Sequence, residues 1–226
     1  MEPIWLKNYP QGVPADITEE AAAYDSLAAI FEQSCAKHAG KIAYFSMGAH
    51  MSYAELDEKS RYVAAWFQSI GIKKGDRVAL MMPNLLQYPI CLFGALRAGA
   101  VVVNTNPLYT ATELEHQLHD SGAETIVIAE NFAHTLQEAL PKTQIKNIVV
   151  TGLGDMLGTV RGTITNLVVR HIKKWCLPMH CPVQSASSTY WPRVVPHRTP
   201  GPHFATMTWP CFNTQAAPQA LPRAQC

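Results

Sequence analysis

Four short apolar runs recur along the first two-thirds of the chain, each separated from the next by a stretch with helical spacing. The runs are DRVALMM from Asp76, AVVVNTN from Ala100, ETIVIAE from Glu124 and NIVVTG from Asn147. By length and flanking residues each predicts a buried strand. Between them lie the apolar stretch LLQYPICLFGALRAG from Leu85, the amphipathic ATELEHQLHDSG from Ala111, and a helix around His134 to Leu140. Strands alternating with helices need crossover connections, and these give a largely parallel sheet. The pattern predicts most of one α/β layer domain.

Upstream, SLAAIFEQSCAKH from Ser26 carries apolar residues at helical spacing, KIAYFSM from Lys41 reads as a strand, and AHMSY as its hairpin partner. Two capping boxes stand out. Ser52 with Glu55 opens YAELDEKSRYVAAWFQSIG, and Thr110 with Glu113 opens the helix before ETIVIAE. In each the hydroxyl takes a backbone N–H at the third helical position while the carboxylate reaches back to the cap. Gly71 supplies the stop for the first of these helices.

Composition divides the chain. Eight of its sixteen prolines follow His180, whereas every aspartate, glutamate and lysine precedes it. We read a patterned body, 1–180, and a Pro-rich tail, 181–226, that is irregular and disordered; disordered linkers are rarely also studded with residues such as Trp191 and Trp209. The net charge of +1 argues against a nucleic-acid partner held by phosphate contacts. No apolar run approaches the roughly 20 residues that span a bilayer, and the start MEPIWLKNYPQGVP shows no signal peptide. Six scattered cysteines form no CxxC pair. These features predict a reduced, cytoplasmic protein.

Candidate chemistry is sparse. Cys176, His180 and Cys181 lie close together, but a fourth ligand and tight spacing are missing, so no metal ligands are assigned. Gly152-x-Gly154 lacks the third glycine of a dinucleotide fingerprint and reads as a turn. His116, His119 and His134 sit on predicted helices near acids and read as surface histidines rather than bases. Ser52 and Thr110 are caps, not nucleophiles, because no base is spaced to serve them. VRGTITNLVVRHIKKW, from Val160 to Trp175, is either a packed connector or a basic amphipathic helix at a membrane surface. No glycine-rich phosphate cradle is written anywhere in the chain.

With these residues in view, MSYAEL (51–56) resembles the first core motif of the adenylate-forming superfamily, and LRAGAVVVNTNPLYT (96–110) resembles the second. The opening IWLKNYP, the run GDRVALMMPNLLQYPICLFGALRAG, the stretch NPLYTATELEHQLHDSGAETIVIAENFAHTL and the connector GDMLGTVRGTITNLVVRHIKKW are similar to the bacterial long-chain fatty-acid–CoA ligases in particular. The resemblance covers the body and none of the tail. It implies the N-terminal portion of that family's large α/β domain, incomplete. It also implies the family reaction: a fatty acid attacks the α-phosphate of ATP, and coenzyme A then displaces AMP. The charged phosphates need a Gly/Ser/Thr-rich loop with a lysine, plus Mg²⁺. In the family that loop lies just beyond the body. No catalytic, cofactor-binding or metal-binding position therefore carries over, and neither ATP, Mg²⁺ nor CoA is expected on this chain by itself.

The tail fits a shifted reading frame. Back-translated with permitted codons and read two bases in, Thr208 to Cys226 gives LALLQYTGGTTGLAKGAM, similar to the family's phosphate loop. One base added near the codons for His180 and Cys181 turns the following residues into HLPGAIRF, similar to the family's continuation. The sequence thus predicts a truncated, inactive ligase with poor solubility and a protease-sensitive tail, since AVVVNTN and DRVALMM would lack proper neighbours. The alternative is a non-enzymatic interaction module that docks on an intact ligase or on the inner face of a membrane, with Arg170, Lys173 and Lys174 as its contacts.

Overall fold

The computed structural model describes residues 4–172 and 203–206. After a 3-10 turn at Ile4–Asn8, helices α1 (Thr18–Ala22) and α2 (Leu27–His38) lead into the hairpin β1 (Ile42–Ser46) and β2 (Ala49–Ser52). Then follow α3 (Tyr53–Ser69), β3 (Arg77–Met81), α4 (Gln87–Arg97), β4 (Val101–Asn104), α5 (Ala111–Ser121), β5 (Thr125–Ala129), α6 (Ala133–Ala139), β6 (Asn147–Thr151), α7 (Thr159–Leu167) and β7 (His203–Thr206).

Local chemistry sets the boundaries. Ser26 caps α2, its hydroxyl accepting the Ala29 N–H at 3.1 Å. Both predicted capping boxes form: Ser52 and Thr110 each donate their backbone N–H to the glutamate three residues on, at 2.8 Å. The hairpin turns through Met47 and Gly48, with φ of 52° and 75°. Two successive positive φ values match the right-handed twist of the flanking strands.

The main sheet is parallel throughout, in the order β4-β3-β5-β6-β7. The chain steps one way from β3 to β4 and then back the other way, past β3, from β4 to β5. Right-handed crossovers therefore put α4 and α5 on opposite faces. Side-chain alternation along β3 shows the result. Val78 and Leu80 join Leu56, Val63, Phe67 and Ile90 of α3 and α4; Ala79 and Met81 join Leu114, Leu118 and Leu136 of α5 and α6. Each fully buried aliphatic side chain contributes about 1.5–3 kcal/mol of transfer free energy, so the two clusters carry the fold.

Three expectations need correction. AVVVNTN is not a buried strand: β4 lies at the sheet edge, with Val101 exposed and Val102 and Val103 half-buried. DRVALMM does not lack neighbours: β3 is bonded to β4 and β5, and Val78 to Met81 are fully buried. The tail is not irregular throughout, because His203–Thr206 pairs in parallel with β6, from Asn147↔His203 to Val150↔Thr206. The outer edge of β6 offers a row of N–H and C=O groups, and backbone pairing asks little of the partner's sequence. The rest of the tail, the boundary at 180/181 and the segment from Lys173 to Trp175 fall outside the described residues.

Candidate functional site

In an open parallel sheet, ligands sit beyond the carboxyl ends of the strands, where the strand order reverses. Here that place is bounded by the segments after β3, β4, β5 and β6. Its firmest part is the turn after β6, which hydrogen bonds tie on every side. The Asp155 carboxylate accepts from the Gly152 N–H at 2.7 Å, from the Thr151 hydroxyl at 3.1 Å and from the Asn166 amide at 2.8 Å. Asn166 in turn accepts the Gly154 N–H at 2.7 Å. From α4, the buried Gln87 donates to the Gly152 carbonyl at 2.8 Å.

Gly152-x-Gly154 is thus the predicted turn, with a second role that the spacing did not reveal. A Cβ on Gly154 or on Gly162 would collide with the other's carbonyl oxygen. The two glycines let α7 lie backbone to backbone on the turn.

Across the sheet end, Tyr88 donates to the Asn104 side chain at 2.6 Å and Gln117 donates to the Asn104 carbonyl at 2.9 Å. Gln117 Oε1, Asn131 Oδ1 and His134 Nδ1 are buried with no hydrogen-bond partner.

The predicted bystanders do not gather into a site. His116 lines a shallow depression with Tyr109, Glu113, Gln117 and Asp120. Glu113 is engaged in the cap, where the backbone and hydroxyl hydrogen bonds from Thr110 hold its carboxyl below its ordinary value. His119 lies 3.7 Å from Asp120 at the exposed end of α5. His134 meets only the Thr135 hydroxyl, at 3.4 Å, among the contacts described for it. Ser52 and Thr110 are engaged as caps. Cys176, His180, Cys181, Lys173 and Lys174 fall outside the described residues, as does the Arg170 side chain. Among the described residues no three His, Cys, Asp or Glu side chains gather at metal-binding distance, and no helix is long and apolar enough to cross a membrane. Gln87, Asp155 and Asn166 were missed from the sequence because they lie far apart in the chain and follow no period.

Comparison with known proteins agrees with this architecture. Residues 31–174 match the AMP-binding enzyme family. The chain is 52% identical over 183 residues to a long-chain-fatty-acid–CoA ligase of Escherichia coli O6:H1, covering 80% of this chain and 32% of that protein. It is 54% identical over 175 residues to a long-chain-fatty-acid–CoA ligase of Yersinia pestis, covering 77% of this chain and 31% of that one. The chain therefore spans about a third of the length of the curated relatives it matches. Among solved structures, a benzoate CoA ligase from Burkholderia xenovorans superposes with a TM-score of 0.52 at 28% identity, over 54% of this chain and 25% of that one. A long-chain-fatty-acid-CoA ligase from Archaeoglobus fulgidus gives 0.51 at 26% identity, over 62% of this chain and 29% of that one.

Proposed function

The chain belongs to the AMP-binding enzyme family, and from that premise we propose that it forms the N-terminal part of the adenylating domain of a long-chain fatty-acid–CoA ligase. The observation that carries this reading is the 52% identity over 183 residues to a ligase of that specificity. The doubly wound order of the parallel sheet supports it. The proposed reaction of the continued chain joins fatty acid to CoA, using ATP and releasing AMP and pyrophosphate. ATP, Mg²⁺ and CoA would be held largely by residues outside this chain's sequence. The described residues supply one wall: a rigid sheet end, with the Gly152–Asp155 turn locked by Gln87 and Asn166.

The polypeptide of 226 residues, taken by itself, is proposed to catalyse neither half-reaction, because its sequence contains no glycine-rich loop with a lysine to hold the triphosphate. The test is ATP–pyrophosphate exchange with a long-chain fatty acid. The purified chain should stay at background. A chimaera of residues 1–174 followed by the remainder of the Escherichia coli relative should exchange. Exchange by the chain alone, or a folded but inactive chimaera, would sink the reading. The shifted-frame account of the tail is checked by resequencing the coding DNA across the codons for His180 and Cys181, where one further base is expected.

A further inference from the structure

Strand β6 reads NIVVT, with no charge, no proline, and four β-branched residues out of five. Ile148, Val149 and Thr151 are buried. Along one side β6 is bonded to β5, from Thr125↔Asn147 to Ala129↔Thr151. A strand of this composition with its other side bare is a template for a second chain. That side is not bare here. His203–Thr206 runs parallel to it in consecutive pairs without a slip, from Asn147↔His203 to Val150↔Thr206. Strand β7 is thereby the last strand of the sheet, and it lies beyond residues 31–174, which match the family.

We propose that the outer edge of β6 is a docking site for extended backbone, that this chain's own His203–Thr206 fills it as a strap, and that the strap keeps the edge from pairing with a second copy of the chain. Three observations favour this occupant. The contact is a backbone ladder, so it needs no matching of side chains, which suits a segment outside the family-matched residues. Both strands belong to one chain, so their pairing is intramolecular, at an effective concentration on the order of mM that a dilute second copy does not match. Finally, the edge that replaces β6 is blunter. Strand β7 has four residues against five in β6, with Pro200 and Pro202 just before it and Pro210 shortly after. Proline donates nothing to a ladder, and short strands flanked by proline are how sheets discourage edge pairing. A second copy that meets β7 finds little to extend, whereas bare β6 would offer a full β-branched strand.

Successive amides of a strand point to opposite edges, so only one of Phe204 and Ala205 directs its N–H toward β6. The test places Phe204→Pro and Ala205→Pro, one at a time, in the chain of 226 residues. One variant loses the N–H that faces β6. The other loses the N–H that faces away, which an edge strand tolerates. In the first, the β6 amides that face β7 should exchange at least about tenfold faster in dilute solution, and the mass at sedimentation equilibrium should rise with concentration to a dimer or beyond. The second should match the parent, protected and monomeric. Two variants that both match the parent overturn the proposal, as do two that both open the edge. An opened variant that stays monomeric at every concentration overturns it too, because the strap then guards against nothing. A parent that is already dimeric gives the edge to a second copy, and a parent whose outward β6 amides are unprotected leaves the edge without an occupant. Either result overturns the proposal.

Discussion

At Gly94 the helices α3 and α4 approach so closely that a Cβ there would lie 2.5 Å from a Val63 methyl and 3.2 Å from the Ser60 carbonyl. Two effects of Gly94→Ala oppose each other. The helix gains about 1 kcal/mol of propensity, and the overpacked contact loses about 1–3 kcal/mol. Overpacking wins because Val63 is fully buried and cannot move aside. Urea unfolding should show Gly94→Ala destabilised by about 1 kcal/mol, with a favourable coupling to Val63→Ala in a double-mutant cycle.

Nearby, the side chain of Arg97 is 6% exposed and pairs with Asp57, reaches Glu32 at 3.4 Å and stacks over the Phe31 ring. Burial pushes the Asp57 carboxyl up, but hydrogen bonds from Arg61 and Arg97 outweigh it and leave the group below its ordinary value of 3.8. A depressed carboxylate contributes stability above the unfolded value and loses it as pH falls through the lower folded value. Asp57→Asn should therefore cost about 1.5–3 kcal/mol at neutral pH, the value of a hydrogen bond to a charged group, because the buried guanidinium keeps only the half-exposed Glu32 as an ionised partner. The gap between variant and parent should narrow in acid unfolding once the pH drops below about 4. Complete burial pushes the Cys91 thiol up to about 12. Iodoacetamide at pH 8 should label it only through global opening, at a rate that peptide mass mapping can follow.

Elements divide into those that hold themselves and those that need neighbours. The capping boxes are local, so Ser52→Ala and Thr110→Ala should each cost about 1 kcal/mol. The loss at Ser52 should be smaller in a Glu55→Ala background, where half of the box is already gone. The strands are not local. β3 and β5 are bonded on both sides and covered on both faces, whereas β4 is an edge with Val101 half exposed. Hydrogen exchange should therefore find the amides of β3 and β5 among the slowest, β4 faster, and α1 with the β1–β2 hairpin fastest. Equal protection of β4 and β5 would contradict the edge position. This distinction was invisible in the sequence, where AVVVNTN reads as apolar as DRVALMM. A run of valines reports β propensity, but only the sheet order reports how many sides are covered.

For the whole molecule, the double winding places one helical layer on each face of the sheet and gathers four loops at its carboxyl end. That end is one wall of a site in the proposed reading. The fold class, the strand and helix succession, both caps and the hairpin were legible in the sequence, because apolar periodicity and capping chemistry act over a few residues. The family resemblance was legible for a related reason, since its motifs are contiguous. Other features required the tertiary structure, because each joins residues distant along the chain. It placed Gln87 and Asn166 on one turn, set Gly154 against Gly162, and gave Arg97 its partners on α2 and α3. It decided that β4 is an edge. The sequence by itself determined which elements form and which family they belong to. Only the tertiary structure decided which surfaces they leave uncovered, because burial depends on contacts between segments that no local pattern encodes.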